Sequence, residues 1–91
     1  DHDFKSMLHK NRGLIYARDQ NKIKALEELK LALSLKWNDP DTHYNLGVAY
    51  LNQQDLENAK RSFKTALSLK PDFQMAREAL KNLENRPKSK V

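Results

Sequence analysis

An all-α solenoid, two helix-turn-helix units closed by one further helix, is the fold this sequence predicts. Three observations predict it. The chain of 91 residues repeats itself with a period of thirty-four, residues 6–39 lying over residues 40–73. Apolar residues recur at helical spacing inside each copy. Turn formers are scarce: with 2 glycines and 3 prolines, the many tight turns of an all-β chain cannot be built.

The lead-in, residues 1–5, opens "DHDF" without methionine, as a piece of a longer protein would. The first unit, 6–39, then matches the second, 40–73, at twelve positions, where chance gives about two. They include His9/His43, Asn11/Asn45, Gly13/Gly47, Tyr16/Tyr50, Gln20/Gln54 and Ala25/Ala59, and both units end on "ALSLK", at 32–36 and 66–70. Each unit reads as two helices. The second carries Ala25, Leu29, Ala32 and Leu33, matched by Ala59, Phe63, Ala66 and Leu67, one apolar stripe. Asn21 and Asp55 stand where each second helix needs an N-cap, and Asp39 before Pro40 opens the second unit in the same way. Pro71 closes it.

A glycine inside a helix costs roughly 1 kcal/mol against alanine. Gly13 and Gly47 are both mid-helix, so packing is expected to outweigh that cost: Gly13 against Ala25 and Gly47 against Ala59, with Tyr16, Tyr50, Leu29 and Phe63 filling the space above. Residues 74–86 continue the register as a capping helix, with Phe73, Ala76, Leu80 and Leu83 as its stripe. Lys81 stands where the glycines stood, so no further helix is expected against it. Residues 87–91 form a basic flexible tail. Arg86, Lys88 and Lys90 supply three of the net +5 charges, which leaves the body near neutral.

Gly47, Tyr50, Ala59, Phe63, Ala66 and Pro71, with Leu46 before the glycine, resemble the tetratricopeptide repeat pattern of small, aromatic and proline positions. His43 stands where that family often has tryptophan. The first unit departs further, with Arg12 for the leucine, Leu29 for the aromatic and Trp37 for the proline. The resemblance implies a right-handed superhelix whose first helices line a concave groove. Two units and a cap fall short of the three usually needed for independent stability. Either more protein covers the N-terminal edge, or the chain self-associates.

No constellation for catalysis is present, and a non-enzyme is expected. His9 and His43 are two potential ligands where a zinc site needs three or four, so they read as packing histidines, and His2 falls in the lead-in. Ser34 and Ser68 have no histidine at helical spacing to activate them. The glycines are too far apart for a phosphate loop. No cofactor or metal is expected. Cysteine is absent, which excludes a disulfide framework. No apolar run approaches the ~18 residues of a membrane span and no signal peptide is visible; the sequence does not give the compartment, and the cytoplasm stands only as the default.

By the resemblance, function is binding of a partner's peptide or helical segment in the groove. Met7, Lys10, Asn11 and Leu14 would line it from the first unit, Tyr44, Asn45, Val48, Leu51 and Asn52 from the second, and Met75 from the cap. Asn11 and Asn45 are equivalent, and a carboxamide can both donate to and accept from a peptide backbone. Some family members clamp the C-terminal carboxylate of heat-shock chaperones. Lys10, Leu14, Asn45, Met75 and Ala79 occupy the clamp positions, and only Lys10 and Asn45 have the required side chains. A chaperone tail is therefore not the expected ligand; a partly apolar protein segment is. Replacing Tyr44 and Val48 by alanine should then weaken binding and leave the fold intact. The alternatives are an assembly module of a longer protein, through the N-terminal edge, and binding of nucleic acid or an acidic surface. The latter would use Lys22, Lys24, Lys30, Lys36, Lys60, Arg61, Lys64 and Lys70, but no exposed aromatics interleave with them.

Overall fold

The computed structural model describes residues 2–85 and holds five helices: α1 (His2–Arg18), α2 (Lys22–Leu35), α3 (Pro40–Asn52), α4 (Leu56–Leu69) and α5 (Gln74–Glu84). Among these residues no strand occurs. The expected basic tail, with Arg86, lies outside the described residues. The lead-in differs from expectation: His2 to Lys5 are helical and belong to α1.

Local chemistry sets the helix boundaries. The Asn21 and Asp55 side chains accept from the backbone N–H of Lys24 and Asn58, and Asp39 accepts from Asp41. Each such cap satisfies an orphan donor and stabilises by about 1 kcal/mol. Pro40 fills the first turn of α3, where its missing N–H costs nothing. The C-terminal ends of α1 and α3 are copies of each other. Asn21 N–H bonds to the Tyr16 carbonyl at 2.8 Å and Gln20 N–H to Ala17 at 3.0 Å; Asp55 bonds to Tyr50 at 2.9 Å and Gln54 to Leu51 at 2.8 Å. These paired bonds define a Schellman stop. It requires a left-handed residue, supplied by Gln20 at φ 64° and Gln54 at φ 62°.

Packing runs from neighbour to neighbour: α1 on α2, α3 on α4, with α2 touching α3, α4 touching α5, and α1 touching α3. That order is the mark of a solenoid. The core follows it in three clusters, built around Leu29 with Leu46 and Ala49, around Phe63 with Ala59 and Leu83, and around Phe73 with Ala66 and Ala76. Ser6 ties α1 to α2 through a buried 3.0 Å bond from its hydroxyl to the Ala32 carbonyl.

Both glycines are buried and neither has positive φ, so space and not conformation demands them. For Gly47 the partner differs from the one expected, while Gly13 meets the backbone of the expected Ala25 as well as Leu29. A Cβ on Gly47 would lie 2.6–2.9 Å from three atoms of the Phe63 ring, and one on Gly13 would lie 2.8 Å from Leu29 Cγ and 3.3 Å from the Ala25 carbonyl oxygen. The large residue of α4 or α2 lies over each glycine; Ala59 sits one turn away from that contact, whereas the Ala25 carbonyl shares it. The bulk expected above the glycine is what touches it.

Candidate functional site

Residues 7, 10, 11 and 14 fall on adjoining positions of one helix side. On α1, Met7 and Leu14 are 49% and 43% exposed, and Asn11 is exposed between them. Lys10 is half-buried, its Nζ 3.4 Å from Asp39 Oδ2 at the start of α3. On α3, Asn45, Val48 and Leu51 are half-buried and Asn52 is exposed; on α5, Met75 is 56% exposed. Val48 and Leu51 pack on the Phe63 cluster with Ala79 and Leu80.

Tyr44 behaves differently from expectation. Its ring centroid lies 5.6 Å from that of Phe63 and 5.4 Å from that of Phe73, tilted against both. Each such pair stabilises by about 0.5–1.5 kcal/mol beyond area burial. Tyr44 joins two core clusters, so its replacement by alanine costs stability as well as contact surface. Of the residues expected to line a groove, Met7, Leu14 and Met75 are those whose apolar side chains are open enough to probe by themselves.

Two clefts flank these residues. One, of about 300 Å³, brings Met7 and Lys10 together with Phe4, Ser6, Lys36, Asp39 and Asp3. The other, of about 340 Å³, gathers Asn52 with Ala17, Arg18, Gln20 and Lys22. Phe4, 59% exposed, is a lining residue that the sequence did not mark, because the lead-in carries no period to place it. A wider hollow of about 570 Å³ at the α1–α2 turn, between Asp19, Ile23 and Gln53, opens broadly to solvent.

Asp39 organises the first cleft. Burial acts to raise its pKa, but the Thr42 hydroxyl, the Lys10 ammonium and the Asp41 N–H outweigh that and hold the carboxyl below its usual range. Thr42, fully buried, donates to Asp39 Oδ2 at 2.8 Å. Lys36 Nζ lies 3.7 Å from Asp3 Oδ1 across the same cleft. Apolar surface between ion pairs suits an apolar side chain with a polar backbone.

The remaining sequence candidates have separate surroundings. His9 Nδ1 lies 2.6 Å from Glu28 Oε1, while His43 Nε2 lies 2.6 Å from the Trp37 carbonyl oxygen, so the repeated histidines do not share an environment. Ser34 and Ser68 hydroxyls donate back to the carbonyls of Leu31 and Thr65. Of the cationic rows, Lys24 and Lys30 stand over the rings of Tyr16 and Tyr50, and Lys70 over Phe73. Trp37, 64% exposed, directly follows Lys36, so one exposed aromatic does adjoin these rows, contrary to expectation, while Phe4 stands apart on α1. Among the described residues, no helix is long and apolar enough to cross a membrane.

The sequence matches the family profile described as Tetratricopeptide repeat over residues 40–73, and that described as TPR repeat over residues 13–54. The fold is similar to a solved structure, the first tetratricopeptide repeat domain of Spaghetti (RPAP3) bound to the HSP90 peptide SRMEEVD. The TM-score is 0.84 at 26% sequence identity, covering 87% of this chain and 63% of that one. This chain thus spans less than two thirds of that relative. No curated protein matches the sequence.

Proposed function

A chain that matches the family profile across both of its units and shares its fold belongs to the tetratricopeptide repeat family, and on that premise we propose a non-enzymatic protein-interaction scaffold. Its groove, lined by α1, α3 and α5, takes a peptide or helical segment of a partner. The observation that carries this reading is the exposure of three apolar side chains, Met7 and Leu14 on α1 and Met75 on α5, at positions where the fold needs no burial. Asn11 and Asn45 beside them offer donors and acceptors to a peptide backbone.

The peptide of the similar structure ends in EEVD. Recognition of clustered carboxylates requires cations free to receive them. Here Leu14 and Met75 are apolar, and Lys10 already faces Asp39. The ligand we propose is therefore a partly apolar segment and not a chaperone C-terminal carboxylate. Nucleic acid is the weaker alternative, since several of the outer lysines stand over the chain's own aromatic rings.

Panning a random peptide display library against the chain, with SRMEEVD as comparison, tests this. Selected peptides should carry apolar anchors, bind at least about tenfold tighter than SRMEEVD, and lose binding to the Met7→Ser/Met75→Ser variant. Selection of peptides with acidic C-termini, or binding indifferent to that variant, would overturn the reading.

A further inference from the structure

A further cleft, of about 220 Å³, opens between α3 and α4. From α3 it is lined by His43, Leu46 and Tyr50. These positions stand about half a helical turn from Asn45, Val48 and Asn52, so the cleft and the groove use opposite sides of α3. From α4 come Asn58, Arg61, Ser62 and Thr65, spaced by three and four along one side of that helix. Two of these polar groups are engaged inside the chain. The Asn58 carboxamide donates to Asp55 Oδ2 at 2.8 Å, and the Thr65 hydroxyl donates to the Arg61 carbonyl at 3.0 Å. Two others are not. Among the described residues Arg61 joins no ion pair, with Glu57 one turn back on α4 included. Ser62 is 7% exposed, and its hydroxyl finds no hydrogen-bond partner among those residues and faces only the cleft.

The repeat shows what belongs there. Thirty-four residues earlier, His43, Arg61 and Ser62 are matched by His9, Glu27 and Glu28. In that first unit the chain sets its own carboxylate against the histidine, Glu28 Oε1 lying 2.6 Å from His9 Nδ1 with both side chains largely buried. In the second unit the carboxylate is gone. A short hydroxyl, Ser62, stands at its position, and a guanidinium, Arg61, replaces the neighbouring Glu27. His43 turns to the backbone instead, its Nε2–H donating to the Trp37 carbonyl at 2.6 Å. Space and charge change together: the first unit fills the place with an acid of its own, and the second leaves it open beside an unpaired cation.

We propose that this cleft is a second binding site, separate from the groove, for the glutamate side chain of a partner polypeptide. The carboxylate takes the place that Glu28 fills in the first unit and accepts from the Arg61 guanidinium and the Ser62 hydroxyl. The methylenes of the glutamate rest on Leu46 and Tyr50. The size agrees: at about 220 Å³ the cleft falls below the ~300–1,000 Å³ of small-molecule sites and holds one side chain. A hydrogen bond between ionised groups is about twice as strong as a neutral one, so charge decides between glutamate and its amide.

Three probes test this in spectra of the intact chain: the blocked dipeptide acetyl-leucyl-glutamate amide, its glutamine counterpart, and inorganic phosphate. The glutamate dipeptide should give saturable shifts at the Arg61 guanidinium, the Ser62 amide and the Leu46 and Thr65 methyls, with Met7, Leu14 and Met75 unmoved. The glutamine dipeptide should bind about tenfold more weakly. Arg61→Gln, at an exposed position, should remove that difference, and Arg61→Lys should restore part of it. Ser62→Glu rebuilds the arrangement of the first unit and should abolish binding; if so buried a position does not tolerate glutamate, the two Arg61 variants carry the test alone. Equal binding of the two dipeptides, binding indifferent to Arg61→Gln, or shifts confined to Met7, Leu14 and Met75 would overturn the proposal. Phosphate moving the cleft resonances at lower concentration than the glutamate dipeptide would also overturn it, by assigning the cleft to a phosphoryl group. Because groove residues are read in the same spectra, failure here leaves the groove reading standing, and the reverse also holds.

Discussion

Gly47→Ala isolates the contact on which the helix pairs depend. Elsewhere in an exposed helix this change stabilises by about 1 kcal/mol, because alanine is the better helix former. Here the new methyl would meet Phe63 Cε1 at 2.6 Å, Cδ1 at 2.8 Å and Cζ at 2.9 Å. Phe63 is fully buried and held against Tyr44, so the ring has no free volume to enter. Overpacking of this kind costs about 1–3 kcal/mol. With three contacts under 3.0 Å the upper end applies, and the net effect is a destabilisation of about 2 kcal/mol. For a domain of this size that lowers Tm by about 8–16 °C. Gly13→Ala should destabilise as well, since its methyl would meet Leu29 Cγ at 2.8 Å, which moves only if the whole side chain shifts, and the Ala25 carbonyl oxygen at 3.3 Å. Thermal unfolding followed by circular dichroism, for both single variants and for Gly47→Ala/Phe63→Leu, measures this. The double variant should lose most of the glycine penalty, because the ring that creates it is gone. A Gly47→Ala protein as stable as the parent, or more stable, would refute the close approach.

Gln20→Gly and Gln54→Gly should each stabilise by about 0.5 kcal/mol, since relief of the left-handed conformation exceeds the entropy glycine adds to the unfolded chain; urea titration reads this directly. Asp39→Ala should cost about 2–3 kcal/mol, from a lost cap and a buried Thr42 hydroxyl left without its acceptor, whereas Asp39→Asn should cost less. Because the folded pKa of Asp39 is depressed, its contribution is complete above the usual aspartate value of about 4 and is lost as pH falls through the lower folded value. Stability plotted against acid pH should accordingly flatten in Asp39→Asn. Leu14→Asn with Met75→Lys, at exposed positions, should raise affinity for SRMEEVD at least about tenfold by restoring two clamp side chains; fluorescence anisotropy with a labelled peptide checks it.

The architecture was legible because a period of thirty-four is a statement about packing: equal residues recur where equal neighbours recur. The caps at Asn21, Asp39 and Asp55 were legible for a local reason, since one side chain decides each of them. The rung at which two helices touch was not. A stripe of Ala59, Phe63 and Ala66 gives a face, but the crossing of α3 over α4 decides that Phe63, one turn beyond Ala59, covers Gly47. The repeated Gln20 and Gln54 were visible as identities, yet their role rests on a positive φ that glutamine does not advertise. Tyr44 has the spacing of a groove residue and also reaches the core, because its ring is long enough to bridge α3 to Phe63 and Phe73. Phe4 was missed since it lies ahead of the two repeated units, and the residue thirty-four positions on, Asn38 at the end of the first unit, is not aromatic.

The groove is tested most directly by methyl-labelled spectra of the intact chain titrated with the tightest peptide recovered from the display library. The expected result is a saturable shift of Met7, Leu14 and Met75 together, with Ile23 and Leu31 on the outer helix unmoved. Shifts at Ile23 and Leu31 with the three groove methyls unchanged would place the ligand on the convex side and contradict the assignment.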